Sequence, residues 1–121
     1  MNTDKYDSMW LVFVRFEAEL GEAFNDLIDL DEKDSAPTYL GAWANVLVDS
    51  FNLKEAIDII EKGLAELKFK LLFIQKIENI ALLVEKDELK SSVIEELGLM
   101  HQHGYRFMIS DRIFPYTAEE D

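Results

Sequence analysis

MWLVFVRFEA, residues 9–18, alternates with a period of two, and both of its faces are largely apolar. Trp10, Val12, Val14 and Phe16 share one face, and Leu11, Phe13 and Arg15 share the other. That periodicity is a strand's. A strand apolar on both sides is either interior to a sheet or an edge with a hydrophobic outer surface. In a small domain either case calls for a covering element or a partner.

Outward from this strand the period changes. In ELGEAFNDLIDL, residues 19–30, Leu20, Ala23, Phe24 and Leu27 follow helical spacing and predict a short amphipathic helix. DEKDSAPT, residues 31–38, holds turn formers and Pro37 and reads as a loop. Residues 39–50 predict a second strand, with Ala44, Val46 and Val48 opposed to Trp43, Asn45, Leu47 and Asp49.

The clearest helix follows. Asn52 is a good N-cap with Glu55 three positions on, and Leu53, Ala56, Ile57, Ile60, Leu64 and Leu67 form one apolar stripe. Gly63 interrupts that stripe at a cost of about 1 kcal/mol relative to Ala, unless close packing requires it.

KFKLLFIQKIE, residues 68–78, sets Phe69, Leu71 and Phe73 against Leu72 and Ile74 and reads as an interior strand. Residues 86–100 predict the last helix, with Asp87 as cap and Leu89, Val93, Leu97 and Met100 facing inward. YRFMISDRIF, residues 105–114, predicts a final strand ending at Pro115.

The expected fold is a single α+β domain over residues 1–121, with frayed ends at about 1–7 and 116–121. It is a two-layer sandwich in the broad ferredoxin-like style. A four-stranded, mostly antiparallel or mixed sheet carries two or three helices on one face. Strand order is not readable.

The chain has 25 acidic and 12 basic residues, a net charge of −13, and no cysteine. Disulfides and thiolate metal sites are therefore excluded, which fits a reducing compartment. Binding to nucleic acid or to an anionic membrane surface rests on Lys and Arg and is disfavoured. The N-terminus lacks the basic and apolar regions of a secretory signal. The longest apolar runs, such as Ile80 to Val84, are far below the ~20 residues of a membrane span. A cytoplasmic location is the expectation.

No motif announces a reaction. His101 and His103 at i and i+2 of a helical pattern point roughly opposite ways. They precede Gly104, the residue type that ends helices, so they read as a helix terminus rather than a metal site. Ser50, Ser91, Ser92 and Ser110 lack a nucleophile-elbow context. The stretch starting at Asp29 has Asp34 and Leu40 where a calcium loop needs Gly and Glu. There is no phosphate-cradling Gly-rich loop. Lys68, Lys70 and Lys76 share a strand face by parity and read as edge-protecting residues. No cofactor, metal or catalytic residue is expected.

The remaining features are acidity and aromatics. Glu17, Glu19, Glu22, Asp26, Asp29, Asp31, Glu32 and Asp34 form the densest acidic stretch, broken only by Lys33. Trp10, Phe13, Phe16, Tyr39 and Trp43 flank it. Aromatic anchors ringed by charge suit a protein-binding surface. The expected function is a non-catalytic acidic module that binds a basic protein partner. Its most concrete form is a bacterial immunity or antitoxin protein, with the acidic stretch steering and Tyr39 and Trp43 anchoring. The alternatives are a self-associating structural or regulatory domain, which would be a homodimer through the first strand, and a small-ligand-binding protein.

Overall fold

The computed structural model describes residues 8–28 and 37–117, without the side chains of residues 110–112. The fold is α+β, built on an open antiparallel sheet. In chain order the elements are β1 (Met9–Ala18), α1 (Phe24–Leu27), β2 (Gly41–Asp49), α2 (Leu53–Glu66), β3 (Phe69–Asn79), α3 (Ile80–Glu85), α4 (Ser91–His103) and β4 (Phe107–Tyr116). Strand order is β3-β1-β2-β4, and each neighbouring pair is antiparallel. The two-sided β1 is interior, the first of the two positions its apolar faces allow.

The helices do not share one face, which corrects the two-layer expectation. Trp10, Val12, Val14 and Phe16 of β1 pack with Ala42, Ala44, Val46 and Val48 of β2 beneath α1 and α2. On the other face, Met9, Leu11, Leu47 and Met108 pack with Leu83 of α3 and Leu97 and Met100 of α4. Each face of β1 thus has its own helical cover over at least part of its length.

α2 is the helix that the stripe and cap predict. Asn52 Oδ1 accepts a hydrogen bond from the Glu55 amide at 2.8 Å. The Glu55 carboxylate reaches across to Arg106 rather than back to the cap. Ala56, Ile60 and Leu64 are buried. Gly63 is required by packing, since a Cβ there would stand 2.5 Å from the Phe107 ring.

Four further expectations change. The helix expected over 19–30 is the single turn α1, because Leu20 and Gly21 form a turn and Leu20 is fully exposed. β3 is an edge strand rather than an interior one, and two bulges re-phase it. Register shifts opposite Phe13/Val14 and Arg15/Phe16 leave Gln75 and Leu72 as extra residues. Phe69, Leu71, Ile74 and Ile77 therefore all reach the α2-side core, while Phe73 turns to the opposite face. The expected helix over 86–100 begins later, as α4 at Ser91, and a separate helix that was not expected, α3, precedes it at Ile80–Glu85. Asn79 caps α3 by accepting from the Leu82 amide, whereas Asp87 sits at φ +56° in the intervening turn and Lys90 is the N-cap residue of α4. β4 runs on through Pro115 to Tyr116, which is buried rather than frayed. An edge strand tolerates a proline because one side of it has no ladder to supply.

Candidate functional site: an uncovered aromatic face

α3 and α4 cover only one end of their sheet face. Following the register across the strands, Glu78–Leu11–Leu47–Met108 forms the last row beneath the helices. Beyond it come Lys76–Phe13–Asn45, then Phe73–Arg15–Trp43–Phe114, then Lys70–Glu17–Gly41–Tyr116.

These outer rows hold a packed aromatic group. Phe13 stacks on Trp43 with centroids 5.4 Å apart, and Trp43 meets Phe73 edge-on at 6.1 Å. Phe114 lies edge-on to Phe13 at 6.5 Å. Phe73 is 55% and Phe114 45% exposed, so these rings contact one another and remain open to solvent. Contiguous exposed apolar groups rimmed by polar ones mark interaction sites.

Arg15 and the outermost row, with Glu17 and Tyr116, border this patch. The Arg15 guanidinium lies 4.7 Å from the Tyr116 ring centroid, and its Nε donates to Tyr116 Oη at 2.7 Å. Tyr116 Oη donates in turn to Glu17 Oε2 at 3.0 Å, and Arg15 Nη2 lies 3.8 Å from the same carboxylate oxygen. Gly41 leaves room for this cluster, because a Cβ there would stand 2.8 Å from Tyr116 Oη. Burial raises the Tyr116 pKa above its ordinary 10.0, with the Glu17 carboxylate adding to the rise and Arg15 opposing it. Arg15, Tyr116 and Glu17 are thus joined by hydrogen bonds and an ion pair into one cluster.

Of the expected acidic stretch, Glu17 is half-buried in this cluster, and Glu19, Glu22 and Asp26 are exposed around the β1–α1 turn. Glu22 pairs with Lys68 at 3.7 Å. Glu17 and Glu22 also line a cleft of about 360 Å³ with Phe24, Asn25 and Tyr39. Asp29, Asp31, Glu32 and Asp34 lie outside the described residues. The two expected anchors are separated: Trp43 is on the open face, while Tyr39 packs against the α2-side core, its amide donating to Asn25 Oδ1 at 2.9 Å. Arg15, Phe73, Phe114 and Tyr116 were not among the expected site residues. Parity along β1 and β2 could have placed Arg15 beside Trp43. The bulges and the unread strand order hid the others.

His101 and His103 occupy the last turn of α4, which ends at Gly104 in the left-handed conformation, φ +69°. Among the described residues no group of three or more His, Asp or Glu side chains is placed to hold a metal ion. No described helix is long and apolar enough to cross a membrane. Comparison with family models, curated protein sequences and solved structures returned no match.

Proposed function

We propose that this protein is a non-catalytic, acidic protein-binding module that docks a basic partner on the uncovered aromatic rows of its sheet. The observation that carries this reading is continuity. Glu17 belongs both to the aromatic face, beside Arg15 and Tyr116, and to the acidic turn with Glu22. The aromatic rings supply desolvated contact area, and the charge of −13 supplies long-range attraction for a cationic protein. An immunity or antitoxin protein that covers and neutralises a basic toxin in the cytoplasm is the most concrete form. Trp43, Phe73 and Phe114 are the anchors; Glu17, Glu19, Glu22 and Asp26 form the steering edge, extended by Asp29, Asp31, Glu32 and Asp34 along the chain.

The test is capture from the native lysate at low and high salt, with identification by mass spectrometry. A small basic protein retained at low salt and released at high salt is expected, with loss of capture when Glu19, Glu22 and Asp26 become Gln or Asn. Recovery of this chain alone at both salts would reject the basic-partner reading and favour pairing of two copies through the same rows.

A further inference from the structure

A second cavity, about 640 Å³, lies at the other end of the same sheet face, between α4 and the paired residues Met9 and Asp49. Its floor is apolar and fixed, since Met9, Leu97 and Met100 are buried in the α3–α4 core. α4 turns Ile94, Leu97, Gly98 and His101 toward it, the i, i+3, i+4, i+7 spacing of a single helix face. Gly98 adds no side chain to this space, and nothing lies within 4 Å of where its Cβ would be. A mid-helix glycine costs about 1 kcal/mol relative to Ala. At Gly63 close packing against Phe107 accounts for that cost, whereas at Gly98 it leaves a hollow.

Apart from His101, the polar groups at this hollow favour a cation. Asp49 is half-buried, and Ser8 Oγ donates to its Oδ1 at 2.7 Å, which fixes the carboxylate. Among the described residues no lysine or arginine pairs with it. α4 ends here, at Gly104, and the negative end of a helix dipole favours a cation. Tyr105 also lines the hollow; its ring stacks on His103 with centroids 5.2 Å apart, and the ring's other face can take a cation. An anion would meet the carboxylate, the helix end and the charge of −13 together.

We infer that this cavity binds a small organic cation, an alkyl or aryl ammonium whose apolar body lies over Gly98 and whose head meets Asp49 and Tyr105. A volume of this size with apolar walls and a few convergent polar groups is that of a small-molecule site. The site does not depend on the protein partner, since it shares no lining residue with the aromatic rows.

The probe is hexylammonium, titrated into the full chain by two-dimensional NMR beside 1-hexanol and hexanoate. Saturable shifts centred on Met9, Leu97 and Met100 are expected with the ammonium, weaker ones with the alcohol and none with the carboxylate. Asp49→Asn should weaken the ammonium by about tenfold, the loss of one charged contact. Gly98→Leu should abolish binding while raising the melting temperature. Ile94→Trp, a change at a solvent-exposed position, closes the mouth independently should the first variant fold poorly. Hexanoate or hexanol binding as tightly as hexylammonium, or ammonium binding unmoved by both closing variants, would overturn the assignment.

Discussion

The two faces of this sheet carry side chains from the same strands yet meet different fates. On one, Val12, Val14, Ala44 and Val46 disappear beneath α2. On the other, α3 and α4 cover Leu11 and Leu47, while Phe73 and Phe114 remain exposed with the half-buried Phe13 and Trp43 packed between them. Burial is thus decided by helix reach rather than by hydrophobicity. α2, at Leu53–Glu66, packs along its face, whereas the opposite cover is divided by the turn at Lys86 and Asp87 and stops short. Aromatics left beyond that cover are surface, and they are what the proposed partner would bury.

The contrast is broken most sharply by truncation on each face. Leu64→Ala, at a fully buried site of α2, should cost about 2–5 kcal/mol by denaturant unfolding. Phe73→Ser should fall within about 1 kcal/mol, because the ring is already half in solvent. Equal losses would mean that the aromatic face is core.

Next in size is the pair of helical glycines. Gly63→Ala drives a methyl into the Phe107 ring and should destabilise by about 1–3 kcal/mol, although it raises helix propensity. Gly98→Ala meets nothing and should stabilise by about 1 kcal/mol. Thermal melts of the two variants should move in opposite directions.

Removing the α2 cap with Asn52→Ala should cost about 1 kcal/mol. The smallest effect belongs to Tyr116. Its folded pKa lies above the unfolded value of 10.0, so its contribution to stability is full below that pH and is lost as pH rises through the folded pKa. Ultraviolet titration should show a late-ionising tyrosine that is lost in Tyr116→Phe. Glu17→Gln should lower its pKa, because the carboxylate opposes formation of the phenolate.

Much of the closed side was legible in the sequence. Periodicity placed β1 over the residues the structure gives it, and Asn52 with its apolar stripe placed α2. Gly104 marked the end of α4, which explains the two histidines. The open side was largely hidden. Phe73 reads onto the wrong face because the extra residues Leu72 and Gln75 each invert the parity that a linear reading assumes. Tyr116 reads as tail because Pro115 stops a strand unless the strand is at an edge, and edges are known only from strand order. The choice of face for α3 and α4 is tertiary, since an apolar stripe says that a helix is covered but not by which side of the sheet.

The most direct test of the central claim is capture of the basic partner by the Phe73→Ser/Phe114→Ser variant, beside the unsubstituted protein at equal concentration and low salt. Melting temperatures are recorded for both. The account predicts a variant that melts within a few degrees of the parent and has lost the partner. Capture undiminished by both substitutions in a folded variant would contradict it and move the interface off the aromatic face.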